Sequence, residues 1–130
     1  MAKLYFSTRD DLVCIDSDLV AIVKADGNYS KVFYITGFQT HLNCGISKLE
    51  EMLKASSSGK TRFIRLGRSY IVNHAYFFKI EVLKQTLYLF DGHKESLKVP
   101  MSRQTLKIYK EAIQKGLKNK KPTKKNQTLT

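Results

Sequence analysis

The stretch Val20-Ala-Ile-Val-Lys-Ala-Asp-Gly-Asn-Tyr-Ser-Lys-Val-Phe-Tyr-Ile35 gives the first indication of the fold. Its first half alternates between two faces, with Val20, Ile22 and Lys24 on one of them, which is the period-two pattern of a strand. The second half resumes an extended pattern after Asp26-Gly27-Asn28, a combination of residues typical of a tight turn. The stretch therefore predicts two short strands joined by a turn.

The same pattern continues on both sides of this stretch. Leu4 with Phe6, and Leu12 with Cys14, each alternate with residues of the opposite face. Downstream, Asp91-Gly92 is a strong hairpin signal between two further strands. The additional extended segments are residues 38–43, 63–64, 76–83, 86–90 and 95–99. Short strands and tight turns therefore account for most of the chain.

Two segments follow a helical pattern instead. Ser47 and Glu50 have the Ser-x-x-Glu spacing of a capping box. The apolar face of this first helix consists of Ile46, Leu49, Met52 and Leu53. Ser102 is the predicted cap of a second helix. Its apolar stripe consists of Leu106, Tyr109, Ile113 and Leu117. We therefore expect a mainly β fold with two helices, which belongs to the α+β class.

Charge is distributed unevenly along the 130 residues. The chain contains 23 basic and 11 acidic side chains, a net charge of +12, and residues 93–130 hold 11 of the basic and 2 of the acidic ones. Such a surface attracts a polyanion, although the alternative that these charges only solvate a helix and a tail is open. Residues 118–130 contain five lysines and no apolar periodicity. We expect them to form a disordered basic tail after a domain at residues 1–117.

The apolar segments are short. The longest unbroken one, residues 19–23, is far below the roughly 20 residues of a membrane-spanning helix. Charged side chains at positions 9–11 interrupt the N-terminus before the apolar core of a secretory signal can form. We therefore expect a cytoplasmic protein with no membrane partner. Cys14 and Cys44 are too few for a disulfide scaffold and are not spaced as zinc ligands.

Several classes of function lack their sequence signals. His41, His74 and His93 share no spacing typical of a metal site or a catalytic group. A glycine-rich phosphate loop, a nucleophile in a recognisable turn and a pair of catalytic carboxylates are also missing. We therefore expect neither enzyme activity nor a cofactor or metal. The sequence also has no consecutive helices for a helix-turn-helix and no signature of an RNA-recognition motif.

Three segments are similar to a known family. They are Ala25-Asp-Gly-Asn-Tyr-Ser-Lys-Val32, Phe63-Ile-Arg-Leu-Gly-Arg-Ser-Tyr-Ile-Val-Asn73 and Val99-Pro-Met-Ser-Arg103. In this order and spacing, they resemble the LytTR domain, a bacterial DNA-binding module usually fused to a response-regulator receiver. The resemblance covers roughly residues 3 to 115. Gly67 departs from the pattern, because family members often carry His before the Arg.

The resemblance implies an elongated fold of small β-sheets with a C-terminal helix, whose edge loops enter successive major grooves on one face of DNA. It also implies three places from which bases are read. They are the loop after the Asp-Gly, the Asn of the Val-Asn step and the Arg at the start of the last helix, which correspond to Asn28 or Tyr29, Asn73 and Arg103. Asn can bind adenine and Arg guanine through paired hydrogen bonds. The candidates for phosphate contacts are Ser30, Lys31, Arg68, Ser69 and Ser102.

Two of these residues also have an ordinary structural interpretation. Asn28 follows Asp-Gly, and Asn is frequent in turns because it tolerates a left-handed backbone. Asn73 lies where a turn meets a strand, so its amide could bind local backbone groups in the interior. Its proximity in sequence to Arg65 and Arg68 favours a contact with DNA. The sequence leaves both interpretations open.

The predicted function is sequence-specific binding of double-stranded DNA by a bacterial transcriptional regulator. The resemblance implies paired direct repeats, which a protein that is mainly monomeric when free would bind in tandem. Met1 lies a few residues before the family's first strand, so we expect a stand-alone domain without a receiver. RNA polymerase or a separate signalling protein is a further possible partner.

Two alternatives come from other classes of protein. The first is a basic β-rich RNA-binding module, in which aromatic side chains stack on bases. Its candidate residues are Tyr29, Phe33, Tyr34 and Tyr88. The second is a small interaction module whose basic tail binds an acidic protein, without salt-sensitive binding to duplex DNA.

Overall fold

A computed structural model describes residues 3–56, 62–93 and 95–119, with side chains as far as residue 116. These residues form ten strands and two α-helices. The first five strands are β1 (Lys3–Ser7), β2 (Leu12–Asp16), β3 (Val20–Asp26), β4 (Tyr29–Tyr34) and β5 (Gln39–Leu42). Helix α1 (Ile46–Ala55) is followed by β6 (Phe63–Leu66), β7 (Tyr70–Asn73), β8 (Phe77–Glu81), β9 (Thr86–Leu89), β10 (Leu97–Pro100) and α2 (Arg103–Asn119). The mainly β fold with two helices is therefore confirmed.

The central element is an antiparallel five-stranded sheet in the order β5-β4-β3-β7-β6. Strand β3 pairs with β4 on one edge and with β7 on the other, so its backbone groups are satisfied on both sides. Val20, Ala21, Ile22 and Val23 are all at most 1% exposed, because the sheet is covered on both faces. This burial explains the apolar run, since a strand covered on both faces reads as continuous rather than alternating.

Each face of the central sheet has its own core. On one face, Ile22 and Val72 pack with residues of the three-stranded sheet β10-β9-β8 and of α2, including Leu87 and Leu106. On the other face, Val23, Val32 and Ile71 pack against α1 and the β1–β2 hairpin. The molecule is therefore built of layers, with the five-stranded sheet in the middle.

The capping box predicted for α1 is wrong. The helix begins at Ile46, and Gly45 is its N-cap, without a side-chain hydrogen bond. Glu50 instead accepts hydrogen bonds from Arg65 of β6 (2.7 Å) and Lys54 (2.9 Å). Partial burial acts to raise the pKa of Glu50, but the hydrogen bonds and charges of Lys54 and Arg65 outweigh it and hold the pKa below its usual value. A tertiary ion pair has thus replaced the local cap.

Leu12 and Cys14 share one face of β2, as the alternation predicts, and that face is exposed. All four residues from Leu12 to Ile15 are apolar, so the sequence alone cannot show which face is buried. The pairing with β1 decides, because Val13 lies opposite Phe6 and Ile15 opposite Leu4 in the interior.

The C-terminal helix forms where it was predicted, and Ser102 is its cap. The Ser102 Oγ accepts a hydrogen bond from the Thr105 N–H (3.1 Å). Leu106 and Tyr109 are fully buried and Ile113 packs beside them, whereas Leu117 lies outside the described side chains. The predicted tail lies outside the described residues from position 120 onwards. Within the described ranges, no helix is both long and apolar enough to cross a membrane.

One polar contact attaches α2 to the end of β7. The Tyr109 hydroxyl and His74 Nδ1 are 2.7 Å apart, and the His74 ring stacks on Phe77 with a centroid distance of 5.4 Å. Burial lowers the pKa of His74, because desolvation disfavours the charged imidazolium. Burial also raises the pKa of Tyr109, so the phenol stays neutral and can donate to the imidazole. A neutral His74 therefore belongs to the folded state.

Lowering the pH should destabilise the protein through His74. In the unfolded chain His74 takes up a proton near its ordinary pKa of 6.5, whereas the folded protein resists protonation. The unfolded state then binds more protons, so the free energy of unfolding falls as the pH drops below about 6.5. Urea denaturation at about pH 7.5, 6.5 and 5.5 measures this dependence.

The control for this measurement is His74→Gln, which keeps an acceptor for the Tyr109 hydroxyl but cannot be protonated. The variant should lose that part of the pH dependence which His74 causes, while carboxylates and other histidines contribute equally to both proteins. Identical pH profiles for the two proteins would contradict the assignment.

Candidate nucleic-acid interface

Two tight turns lie side by side at one end of the five-stranded sheet. The first joins β3 to β4 through Gly27 and Asn28, and the second joins β6 to β7 through residues 67–69. They are neighbours because β3 pairs with β7, and the Ala25 N–H donates to the Ser69 carbonyl (2.8 Å). We call residues 26–29 and 67–69 together the turn edge.

Glycine is required once in each turn. Gly27 has a φ of +64° and Gly67 a φ of +62°, which lie in the left-handed region that other residues rarely adopt. Gly67 occupies the position where the family often has His, so the backbone conformation gives this substitution a physical reason. The left-handed backbone at Gly27 also leaves Asn28 free of that role, since Asn28 itself has a negative φ.

The side chains at the tips of these turns face solvent. Asn28, Arg68 and Ser69 are exposed, and Tyr29 is 48% exposed. Within the part of the chain that the structure describes, the side chains of Asn28 and Arg68 make no hydrogen bond or ion pair. The turn edge therefore presents an amide, a phenol and a guanidinium that are available to a ligand.

Asn73 lies away from this surface. It is 1% exposed, its Nδ2 donates to the Val20 carbonyl (2.9 Å), and its Oδ1 accepts from the Ala75 N–H (3.0 Å). These bonds join β7 to the start of β3 and cap the short 3₁₀ turn His74–Tyr76. The prediction that Asn73 reads a base is contradicted by this placement, because its polar atoms are already bound in the interior. The structural interpretation is the correct one.

Ser30 is also buried. It is 0% exposed, and its hydroxyl donates to the Cys44 carbonyl (2.6 Å), which ties β4 to the segment before α1. This contradicts its prediction as a phosphate contact, because Ser30 is the inward member of an alternating strand. Tyr29 and Lys31, its neighbours in sequence, face the opposite side of β4.

Lys31 lies directly opposite Lys24 on the neighbouring strand. The two ammonium groups are 5.7 and 5.9 Å from the centroid of the Phe33 ring, so both make cation–π contacts with one aromatic side chain. No acidic partner of either lysine is found among the described residues. Two like charges facing each other destabilise a strand pair, and an anion would relieve this repulsion.

The start of α2 is the third exposed element. Ser102 and Arg103 are exposed and follow Met101, which is 4% exposed and packs in the same core as Leu66. Leu66 directly precedes the turn at Gly67. The core thus connects the N-terminal end of α2 with the β6 side of the turn edge.

Arg65 is a positioning residue that the sequence analysis did not identify. Its Nη1 donates to Glu50 (2.7 Å) and its Nη2 to the Arg68 carbonyl (3.2 Å). The guanidinium therefore connects α1 to the turn that carries Arg68. Its charge is paired, so Arg65 does not add to the free positive charge of the interface. The sequence offers one signal for this role, which is a basic residue alternating with apolar ones in β6.

The turn edge also carries one acidic side chain. Asp26 Oδ2 lies 3.1 Å from His41 Nε2 of β5, and both side chains are about half exposed. The described residues contain no group of three or more His, Cys, Asp or Glu side chains that could hold a metal ion. Chemically, the surface is therefore suited to hydrogen bonding and to charge neutralisation.

Replacing Asn73 with Ala should destabilise the fold. The substitution leaves the Val20 carbonyl and the Ala75 N–H without their partners in the interior, which costs about 1–3 kcal/mol. Urea denaturation measures the loss. Asn28→Ala, at an exposed turn position, is the matched control and should stay within about 0.5 kcal/mol of the parent protein. An Asn73→Ala protein with unchanged unfolding free energy would contradict the structural role.

Comparison with known families and structures gives two findings. The family model of the LytTr DNA-binding domain matches residues 10–114. A solved structure from Bacillus cereus, described as the LytTr DNA-binding domain of a methyl-accepting/DNA response regulator, superposes with a TM-score of 0.58 at 20% identity. The match covers 87% of this chain and 97% of that one. No curated protein matches the sequence.

Proposed function

The chain belongs to the family of LytTR DNA-binding domains, and from this premise we propose that it is a transcriptional regulator that recognises a specific duplex sequence with its turn edge in the major groove. The observation that carries the proposal is the pair of exposed turns side by side on one sheet. Neither turn is buried against another element, so both are free to approach DNA together.

The dimensions of the turn edge fit this role. Neighbouring strands are about 4.8 Å apart, and the order β4-β3-β7-β6 separates the centres of the two turns by two such spacings, or roughly 10 Å. The major groove is about 12 Å wide. Both turns can therefore enter a single groove and contact bases within a few base pairs of each other.

The exposed side chains divide into two groups by their chemistry. Asn28, Tyr29, Arg68 and Arg103 are our candidates for base contacts, with Arg68 taking the place in the middle of the interface that the sequence assigned to Asn73. Arg binds guanine through two hydrogen bonds, and Asn binds adenine in the same way. Our candidates for phosphate contacts are Lys31, Ser69 and Ser102. Ser102 stands at a helix N-terminus, where free backbone N–H groups favour an anion.

We also propose that the protein binds direct repeats in tandem and is mainly monomeric when free. In this arrangement two copies occupy the same side of the duplex, each with its turn edge in a groove. The net charge of +12 supports this proposal, because free copies repel each other while DNA phosphates neutralise the charge.

The RNA-binding alternative loses support from the contacts of its candidate side chains. The Tyr34 hydroxyl accepts from the Asp16 N–H (2.9 Å), the Tyr88 hydroxyl donates to Glu81, and Phe33 lies between two lysines. Tyr29 alone among the four is exposed with no such contact within the described residues. These aromatic rings therefore do not form an open stacking surface for single-stranded bases.

The decisive experiment is selection of bound sequences from random duplex DNA, followed by competition. A selected duplex should displace itself from the protein, whereas scrambled duplex and single-stranded RNA should compete much more weakly. Selection that returns no common sequence, or RNA that competes as well as the selected duplex, would overturn the proposal.

Replacing Arg68 or Arg103 with Ala should weaken binding to the selected duplex selectively. Loss of a bidentate base contact costs about 1–3 kcal/mol at the specific site, and less on scrambled DNA. Lys31→Ala is the matched control, because loss of a phosphate contact weakens binding to both duplexes alike. Titrations at one fixed salt concentration measure the three variants. Equal losses on both duplexes for Arg68→Ala and Arg103→Ala would show that these residues contact phosphates.

A further inference from the structure

Two exposed faces of the molecule carry apolar side chains that no described element covers. On the β1–β2 hairpin, Tyr5 is 61% exposed and Leu12 is 69% exposed, with Cys14 between them on the same face. We call this the hairpin face. On the three-stranded sheet, Phe78 is 55% and Phe90 38% exposed, with ring centroids 5.7 Å apart. We call the outer surface of β8, β9 and β10 the sheet face.

The two faces lie on opposite sides of the molecule. The inner residues of the hairpin, such as Phe6 and Ile15, pack in the core on one side of the central sheet. The inner residues of the three-stranded sheet, such as Leu87 and Leu89, pack in the core on the other side. Each apolar face is therefore the outward surface of an outer layer, and the turn edge lies between them at the end of the middle layer.

The charges of the two faces are opposite in sign. The segment Lys3–Asp18 contains four aspartates against two basic residues, in a chain whose net charge is +12. The strands of the sheet face contain Lys79 and Lys98 with Glu81 as their acidic residue, and Lys84 adds a positive charge in the turn between β8 and β9. Apolar centres with edges of opposite charge are complementary surfaces.

We propose that the sheet face of one copy binds the hairpin face of a second copy, in a head-to-tail contact that forms when two copies occupy neighbouring half-sites. The contact joins two different surfaces, so it is heterologous and can repeat along the DNA. It rests on the proposed function, because tandem binding brings the two faces together. A second copy is the favoured partner because one chain supplies both complementary surfaces on opposite sides.

The thickness of the molecule sets the spacing. Stacked sheets pack about 10 Å apart, so three layers repeat about every 30 Å when the sheet face of one copy packs on the hairpin of the next. One turn of B-DNA is about 34–36 Å, or 10–10.5 base pairs. The contact should therefore form between half-sites one helical turn apart, and it cannot span a separation of two turns.

Binding to paired half-sites tests the contact. Duplexes carry one selected half-site, or two as a direct repeat with centres about 10.5, 16 or 21 base pairs apart. The pair at one turn should be bound about tenfold more tightly than two independent sites, which corresponds to roughly 1.4 kcal/mol. The other two spacings should show independent binding. Independent binding at all spacings, or cooperativity at two turns alone, would overturn the proposal.

Surface variants show whether the two faces pair with each other. Phe78→Ser with Phe90→Ser removes the apolar centre of the sheet face, and Tyr5→Ser with Leu12→Ser removes that of the hairpin face. Each double variant should keep its affinity for a single half-site and lose the cooperativity. An equal mixture of the two should recover part of it, because each variant retains the face that the other lacks. A mixture without any recovery would overturn the head-to-tail arrangement.

Binding to a single half-site separates the two proposals. Loss of that binding in the parent protein would overturn the proposed function, whereas single-site binding without cooperativity would overturn the contact alone. A measurement without DNA keeps the contact testable in either case. Lys98→Cys on the sheet face, with Cys14 on the hairpin face, should give an oxidised ladder of dimers, trimers and larger species.

The matched control for disulfide trapping is Lys98→Cys combined with Cys14→Ser. Without a thiol on the hairpin face, this protein cannot extend a head-to-tail chain, so its oxidation should stop at dimers. Dimers alone in the Lys98→Cys protein would indicate a symmetric contact and would overturn the proposal, as would the same ladder in the control.

Discussion

The pairing of β3 on both of its edges is the constraint on which the rest of the structure depends. With β4 on one side and β7 on the other, the backbone of β3 is fully bonded, and its apolar residues can be buried on both faces. The same pairing places the turn after β3 beside the turn before β7. The interface for DNA is thus a consequence of strand order, since these turns lie about forty residues apart in sequence and only about two strand spacings apart in space.

Polar residues near the interface have two different tasks, and burial separates them. Asn73, Ser30 and Arg65 use their polar atoms within the fold, where each bond joins elements that are distant in sequence. A buried polar group without a partner is costly, so these residues are fixed in place. Arg68 and Asn28 stand on the supports that they provide. A rigid base for a few exposed side chains is what specific recognition needs, because ordering those side chains on binding then costs less.

The layered construction leaves three kinds of surface with different chemistry. The end of the middle layer carries exposed polar and basic side chains, while the outer layers each expose an apolar centre with an edge of opposite charge. Because the outer layers cover opposite faces of one sheet, a ligand at the end of that sheet leaves both apolar faces accessible. Binding of DNA and contact between copies are therefore compatible in space, and the strong positive charge makes the first a condition for the second.

The sequence by itself determined the short strands, the turns at Asp26-Gly27 and Asp91-Gly92, the two helices and the family, because these depend on local spacing and local backbone preferences. It also identified Asn28, Tyr29, Arg68 and Arg103 as candidates, and the structure finds all four exposed. The tertiary structure alone decided that Asn73 and Ser30 are interior residues, that Gly45 rather than Ser47 caps α1, and that Leu12 and Cys14 face outwards. The physical reason is that burial of a polar side chain, or the choice of face in a strand that is apolar on both sides, depends on partners far away in the chain. Val20, Cys44 and Arg65 become such partners only when the strands pair.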